Sequence, residues 1–296
     1  MLKKYLQCSV LSKKIIYLES CLMYNYRMKE YDFYIVPTPI GNLGDITLRA
    51  IETLKSVDII ACEDMRVTQK LLNHYDIRTK CVSYHKFNEK ERVDYFLELL
   101  NDGKKIALVS DAGTPLFCDP GSVIVKELRQ NGYSVTSLAG ANAVATFLSQ
   151  VPRDGEDFAF VGFLPKTKSQ IECILKTYQI TDLVFYDSPN RIMNTLEIIK
   201  EVRPSSRVAI GRELTKVFEE IVIDDVEKVI EYFENNVLKG EIVGLVFRKK
   251  LNCNDIDIDE KISILKKKGF KNKDISMILA ELYKLNKNDI YKRCLL

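Results

Sequence analysis

The sequence predicts an α/β protein: a first domain built on a parallel sheet, a second built on a mixed sheet, and a small helical module at the end. Three observations carry this. Short, wholly apolar runs such as Phe33 to Val36 and Ile106 to Val109 alternate with segments of helical spacing, the pattern of strands buried on both faces of a parallel sheet. Residues 207–223 hold two strand-like runs with no room for a helix between them, so the second sheet must include an antiparallel pair. Residues 261–296 are basic, with short apolar repeats of helical period.

In the first domain, strands are expected at 32–36, 58–62, 81–84, 105–110 and 133–138, and helices at about 45–56, 66–75, 88–102, 120–131 and 141–149. Asp45 can N-cap a helix whose Ile46, Ile51, Leu54 and Val57 lie near one face. Asn88 opens the next helix but one, and Gly103 suits its left-handed exit. Asp119-Pro120 combines a cap with a proline at the first helical position, and Gly132 closes that helix. Five parallel strands with crossover helices make one α/β domain over 29–150.

A second domain, 151–250, follows the polar stretch Arg153-Asp154-Gly155-Glu156. Its strands are expected at 157–163, 182–187, 207–212, 217–223 and 241–247, and its helices near 168–178, 190–202 and 226–237. The final segment, 251–296, opens with an acidic linker and continues as helices separated by Gly269 and Asn286, like a helix-turn-helix. Ile262, Leu265, Ile275, Ile278, Leu279, Leu282, Ile290 and Tyr291 supply its apolar positions. So small a module must dock on the body or on a partner to be stable.

Composition narrows the function classes. A hydrophobic share of 46% and a charged share of 29% are those of an ordinary soluble protein, and no apolar stretch approaches the roughly 18–20 residues of a membrane-spanning helix. The overall charge of +3 hides an asymmetry: residues 1–28 carry +4 and residues 261–296 carry +7, leaving −8 between them. An acidic body with basic ends fits a polyanionic partner held at its edges; a solvated lysine-rich face is the alternative. The eight cysteines form no C-x-x-C pair and there are only two histidines, so no metal site is expected. Cys62, inside an apolar run, suits packing in a reducing cytoplasm. Residues 1–28 lack the long apolar core of a signal peptide, and Met28 directly precedes the first strand. They are expected to be an extension outside the fold, with translation starting at Met28.

The chemistry is expected at strand ends, where open α/β sheets bind ligands. Pro37-Thr38-Pro39-Ile40-Gly41-Asn42 follows the first strand, Ser110-Asp111-Ala112-Gly113-Thr114-Pro115 the fourth and Ala139-Gly140-Ala141-Asn142-Ala143 the fifth. Small residues there let backbone approach a ligand closely. Rigid turns, a capping aspartate and close helix packing are the respective alternatives. Neither G-x-x-x-x-G-K-[ST] nor G-x-G-x-x-G occurs, which disfavours nucleotide hydrolysis and ordinary dinucleotide binding.

Taken in order, Pro-Thr-Pro-Ile-Gly-Asn-Leu, Cys62-Glu63-Asp64-Met65-Arg66-Val67-Thr68-Gln69-Lys70-Leu71-Leu72, Ser-Asp-Ala-Gly-Thr-Pro, Gly162-Phe163-Leu164-Pro165, Phe185-Tyr186-Asp187-Ser188-Pro189-Asn190-Arg191 and Arg212-Glu213-Leu214-Thr215-Lys216 resemble the ribosomal RNA small subunit methyltransferase I family, of the tetrapyrrole-methylase-like superfamily. The resemblance runs over about 31–296. Met65 stands where that family usually has threonine, Ala139 where proline is common and Asp187 where glutamate is frequent.

The resemblance implies two α/β domains of the tetrapyrrole methylase type with S-adenosylmethionine in the cleft between them, in a cytoplasmic homodimer. The implied reaction is methylation of a ribose 2′-hydroxyl on a cytidine in the decoding region of 16S rRNA, within the small ribosomal subunit. Residue by residue it implies cofactor contacts from Thr38, Pro39, Ile40 and Gly41, from Asp111, Ala112, Gly113, Thr114 and Pro115, and from Gly140, Ala141, Asn142 and Ala143. The second domain would add Phe185, Tyr186, Gly211, Glu213, Leu214 and Thr215. A tetrapyrrole or a modified protein side chain as acceptor, and a non-catalytic RNA-binding assembly factor, are the rival readings.

A ribose hydroxyl is a poor nucleophile at neutral pH, so a base, or a cation favouring alkoxide character, would help. The candidates are Glu63, Asp64 and Arg66 at the second strand end, and Lys216 with Glu213 in the second domain. The alternatives are that Asp64 caps the following helix, that Arg66 pairs with Glu63, and that Lys216 and Glu213 face water. His85 is a further candidate, and Arg191 is either an RNA phosphate contact or an interdomain ion pair. The basic tail would hold RNA phosphates through lysine and arginine.

Overall fold

A computed structural model describes residues 29–85, 88–155, 157–236, 239–249, 258–283 and 285–295. The expected extension over 1–28 and the expected acidic linker over 252–260, except its last three residues, lie outside the described residues; Ile258, Asp259 and Glu260 instead open a helix. The described residues divide into two compact units, the first comprising those up to Thr38 with those of Ile46–Gly140, the second Pro39–Asp45 with those from Ala141 onward.

The first unit holds a five-stranded sheet of β1 (Phe33–Ile35), β2 (Ile59–Cys62), β3 (Lys80–Ser83), β4 (Ile106–Val109) and β5 (Val135–Ser137) in the order β3-β2-β4-β1-β5. Every pairing is parallel. The continuous apolar runs are explained by two cores, one on each face. Phe33, Ile35, Ile59, Ala61, Ile106 and Leu108 pack on one face against α3 (Glu89–Asn101) and α4 (Ser122–Gln130). Tyr34, Val36, Ile60, Cys62, Ala107 and Val109 pack on the other against α1 (Leu48–Ser56) and α2 (Met65–His74).

Helix ends depart from expectation where the loop path decides the cap. Asp45 lies in a 3₁₀ turn, Leu43–Asp45, and Thr47 caps α1 instead, its hydroxyl accepting from Ala50 N at 3.1 Å. Asp119 and Pro120 precede the fourth helix without capping it: Gly121 holds the N-cap at φ +139°, a conformation that favours glycine. Asn88 precedes α3, yet its side chain accepts from His85 N and leaves the helix uncapped. Gly103 and Gly132 exit their helices at positive φ as expected.

The second unit holds β6 (Phe158–Phe163), β7 (Asp182–Asp187), β8 (Arg207–Arg212), β9 (Glu220–Asp225) and β10 (Ile242–Val246), ordered β6-β7-β10-β8-β9. Only β6 and β7 are parallel; β10 and β9 run antiparallel to their neighbours, so the sheet is mixed. Leu183, Phe185, Val208, Ile210, Ile242 and Val246 face one core, where α6 (Lys168–Thr177), α7 (Ile192–Val202) and α8 (Val226–Glu234) pack. Val184, Ala209, Val243 and Leu245 face another with Ile40, Leu214 and the short α5 (Ala143–Leu148).

Three further helices, α9 (Ile258–Lys267), α10 (Asn272–Tyr283) and α11 (Lys287–Leu295), form a cluster of their own around Ile258, Ile262, Ile275, Leu279, Ile290 and Cys294. Two residues expected in that core, Leu282 and Tyr291, are exposed, while Tyr283 packs partly against it.

Candidate active site

In the first unit, topology alone makes the site. Because β4 lies between β2 and β1, the loops leaving the carboxyl ends of these three parallel strands are neighbours. Thr38, after β1, exchanges both main-chain hydrogen bonds with Gly113, after β4, at 2.9 Å each. Its buried hydroxyl donates to the Ser110 carbonyl at 3.1 Å. Gly113 takes φ +79° to make this bridge, so the glycine is required by the turn itself. On the other side, Asp64 N, after β2, donates to Asp111 Oδ1 at 3.0 Å. After β5, Gly140 approaches β1's exit so closely that a Cβ there would lie 2.6 Å from Cβ of Pro37.

The side chains on these loops divide by role. Asp64 caps α2 by accepting from Arg66 N at 2.8 Å, and its two oxygens also receive the Arg66 guanidinium at 3.1 and 2.7 Å. Arg66 beside it holds the Asp64 carboxyl down to about 2. Arg66 therefore pairs with Asp64 rather than with Glu63. The Glu63 carboxylate accepts no hydrogen bond among the described residues; partial burial, then repulsion from Asp111 and Asp119, pushes its pKa up. Asp111 and Asp119 are also raised, burial again being the main cause. Three carboxylates with weakened preference for the charged form make a cluster that gains from a cation. Asp119 belongs to this group although the sequence suggests it as a helix cap.

A half-buried carboxylate supports this loop. Glu89 Oε1 accepts from the Tyr84 hydroxyl at 2.7 Å and from Gly121 N at 2.9 Å, fixing the end of the loop that starts at Ser110. The spacing from Tyr84 to Glu89 carries no recognisable motif, so sequence reasoning missed it.

The second unit brings its own residues together. Gly41 packs under the turn after β8: a Cβ there would lie 2.4 Å from Lys216 Cγ and 2.9 Å from the Leu214 carbonyl oxygen. Asn42 N donates to Thr215 Oγ1 at 3.1 Å. Glu213 and Thr215 take positive φ of 50° and 64°, a strained turn for residues with a Cβ. This turn delays β9, which starts at Glu220 rather than 217. Lys216 is half-buried and ion-paired: its Nζ donates to Glu213 Oε1 at 2.9 Å and Glu241 Oε2 at 3.2 Å. Burial pulls the Lys216 pKa down, yet the two carboxylates outweigh it and raise it overall. Lys216 is thus a fixed cation, and Glu213 is lowered by the same contact.

Neighbouring strand residues face opposite sides, and this separates Phe185 from Tyr186. Phe185 is fully buried in the core beneath Gly244, where a Cβ would lie 2.3 Å from its ring. Tyr186 belongs to the opposite face, with Ile40 and Leu214. Gly211 lies on Tyr186's face, pressed by Phe147 of α5, whose ring a Cβ would meet at 2.7 Å. Asn142 caps α5 through Ala145 N at 3.1 Å, with Ala141 and Ala143 packed against the same core. Ile40 and Leu214 are buried there, while Ala112 is exposed and Pro39, Thr114 and Pro115 are at least half-buried.

Residues 32–230 match the family described as Tetrapyrrole (Corrin/Porphyrin) Methylases. Ribosomal RNA small subunit methyltransferase I of Vibrio cholerae is 42% identical over 88% of this chain and 92% of its own length. The protein of that name from Rickettsia prowazekii is 39% identical over 87% of this chain and 94% of its own. The chain belongs to the ribosomal RNA small subunit methyltransferase I family. Among solved structures, a diphthine synthase overlays with a TM-score of 0.59 at 13% identity, covering 75% of this chain and 91% of that one. A uroporphyrin-III C-methyl transferase from Thermus thermophilus, complexed with S-adenyl homocysteine, gives 0.51 at 18% identity over 72% and 96%. These two likenesses speak to the fold.

The small residues and raised carboxylates lie on the loops whose motifs carried the resemblance. Arg191 is accounted for within its own unit: its Nη2 donates to the carbonyls of Leu164 and Pro165 at 2.8 Å each, and its Nε sits 3.4 Å from Asp187. Among the described residues no group of His, Cys, Asp and Glu could hold a metal ion, and no helix is long and apolar enough to cross a membrane.

Proposed function

We propose that this protein transfers a methyl group from S-adenosylmethionine to the ribose 2′-hydroxyl of a cytidine in the decoding region of 16S rRNA, within the small ribosomal subunit. The reading includes a homodimer acting in the cytoplasm. The observation that carries it is the donor set of the first unit. Glu63, Asp111 and Asp119 are carboxylates pushed towards protonation by burial and mutual repulsion, and a sulfonium with an ammonium group would relieve that repulsion. The residues therefore fit the cofactor by charge.

Thr38, Gly113 and Gly140 supply a closely drawn main chain, and Asp111 to Pro115 supply the small surface on which an adenosyl group would lie. In the second unit Gly41, Gly211 and Leu214, with the Tyr186 face of the sheet, are the assigned contacts; Phe185 acts as the packing beneath. When bound, S-adenosylmethionine supplies an electrophilic methyl carbon, and positioning accounts for most of what the protein must add. Glu63 is assigned to receive the hydroxyl proton at a carboxylate oxygen, since its oxygens accept no hydrogen bond among the described residues and its pKa is raised. Asp64, held near 2 by Arg66, is a weak base and is assigned to orienting Arg66 and the loop. Lys216 remains a cation that favours negative charge nearby. The basic helices α9 to α11 are assigned to RNA phosphates.

The deciding experiment incubates the protein with methyl-labelled S-adenosylmethionine and small ribosomal subunits, then maps the modified nucleotide and sugar position. Label on a single 2′-oxygen in the decoding region is expected. Label on a base, on a protein or on a tetrapyrrole acceptor instead would overturn the reading.

A further inference from the structure

We propose that Phe163, seated on Tyr186, is a stacking platform for a base of the RNA acceptor, with Lys166 set to meet an adjacent phosphate. This rests on the RNA reading above. A register change in β6 carries it. Phe158, Ala159 and Phe160 pair in regular parallel register with Asp182, Leu183 and Val184, after which Phe163 pairs with Tyr186. Continued without interruption, the register would set Gly162 opposite Tyr186 and Phe163 opposite Asp187. One additional residue is therefore inserted into β6, with Gly162 at φ +67°, as in a glycine bulge.

Because side chains alternate faces, a slip of one residue carries everything beyond it to the other side of the sheet. The bulge thus moves Phe163 from the face of Asp187, beside the α6–α8 core, to the face of Tyr186. There it joins a row that runs in register across all five strands: Phe163, Tyr186, Val243, Gly211 and Ile221. Tyr186 and Gly211 of that row are among the residues assigned to the cofactor. The device brings an aromatic ring to the edge of that row, and burial is not its purpose: Phe163 remains 63% exposed.

The ring is supported and aimed. Its centroid is 5.4 Å from that of Tyr186, which in turn lies 5.1 Å from Phe160. The chain that follows is pinned by the Arg191 guanidinium on the Leu164 and Pro165 carbonyls and by burial of Leu164. An exposed flat ring on a fixed backbone is what base stacking uses, and it is sequence-tolerant because every base has a π-face. Charge argues for the same occupant. Lys166, three residues on, is exposed and forms no ion pair among the described residues, whereas its neighbour Lys168 is paired with Glu201. An aromatic platform followed three residues later by an exposed cation with no ion pair among the described residues fits a nucleotide better than an apolar protein surface.

The test uses the full chain with small-subunit rRNA at several salt concentrations, together with calorimetry for S-adenosylmethionine and light scattering for oligomeric state. F163A and F163L are expected to weaken RNA binding by roughly tenfold to a hundredfold, F163W to restore it, and none to change cofactor affinity or oligomeric state. K166A is expected to lower the salt slope by about one, while F163A leaves that slope unchanged. F163L binding RNA like the wild type would overturn the platform. So would an F163A effect that appears as a changed oligomeric state, marking a protein-binding surface, or as an equal loss of cofactor affinity. A wild-type chain that neither binds nor methylates the rRNA would sink the RNA reading and the platform with it; one that does both while F163L is unaffected sinks the platform alone.

Discussion

The main-chain N–H of Asp64 donates to Oδ1 of Asp111 at 3.0 Å across 47 residues of sequence, so the loops leaving β2 and β4 are tied by a carboxylate that also faces the proposed cofactor. The two roles can be separated. D111N keeps a side-chain oxygen for the Asp64 N–H but loses the negative charge, whereas D111A loses both. We expect D111N to weaken S-adenosylmethionine binding about tenfold or more, as a hydrogen bond or pairing to a charged group is worth about 1.5–3 kcal/mol. Its melting temperature should be no lower than wild type, because burial raises the Asp111 pKa and the neutral amide escapes that penalty. D111A should lose affinity and also melt lower. Calorimetry and thermal melts on both variants check this; equal affinity of D111N and wild type would remove Asp111 from the cofactor site.

Asp64 makes a stability prediction of defined sign. Its carboxyl is held near 2, against an ordinary 3.8, chiefly by the side-chain hydrogen bonds from Arg66. A depressed native pKa stabilises the fold in full above the ordinary value and loses that contribution as pH falls towards 2. D64N should therefore melt below wild type at pH 7, and the two curves should converge as the pH approaches 2. Arg66 is exposed and the pair is screened, so the gap should also shrink in high salt.

Asp119 gives the opposite sign. Burial raises its pKa above 3.8, with Asp111 adding repulsion. A raised carboxyl weakens the fold once the pH exceeds its native value, and the penalty disappears as pH falls through that value towards 3.8. D119N should accordingly melt above wild type at pH 7, with the gain fading under acid, while binding the cofactor less well. A variant that gains stability and loses ligand would mark a group kept for function. Lower stability at pH 7 would contradict the electrostatic reading.

How much of this is visible in the sequence depends on range. The buried parallel strands announce themselves, because both faces of the first sheet are covered and Phe33 to Val36 must be apolar throughout. The mixed second sheet follows from chain length alone, there being no room for a helix between β8 and β9. Local rules fail where tertiary contacts choose the partner. Asp45 is a good capping residue, yet Thr47 occupies the capping position. Asp119 is another, yet the fourth helix waits for Gly121, whose N–H is held by Glu89. Arg66 finds Asp64 because the capping geometry already points that carboxylate at it. The strand-end loops were legible by their small residues, but which face of β7 Ile40 packs on was not. Alternation requires Phe185 and Tyr186 to diverge, and only the packing reveals that Tyr186 shares the face of Ile40. The bulge at Gly162 leaves no periodic trace, since one inserted residue looks like any strand end.

Gly140 tests the close approach that shapes the exit of β1. A Cβ on it would lie 2.6 Å from Cβ of Pro37, and a proline ring cannot swing aside as a flexible side chain does. G140A should cost about 1–3 kcal/mol of stability, the usual range for overpacking. Denaturant unfolding measures it. Because Pro37 precedes Thr38 and its bridge to Gly113, cofactor affinity should fall as well. A neutral substitution would show that the loop relaxes freely and is not a rigid part of the site.

The helices α9 to α11 pack around their own core, and their segment, 258–296, carries a large basic excess. Removing residues 258–296 should therefore leave the cores on either side of each sheet intact and cofactor affinity within about threefold of wild type. RNA affinity should fall far more, and the dependence of binding on salt should become shallower, since each lost phosphate contact lowers the slope by about 0.7–0.9. Calorimetry with S-adenosylmethionine and filter binding with small-subunit rRNA, run on the same preparation, measure both. Equal losses in the two assays would mean that the helices hold the rest of the chain in shape, and no loss in either would assign the RNA contacts to the two sheets and their loops.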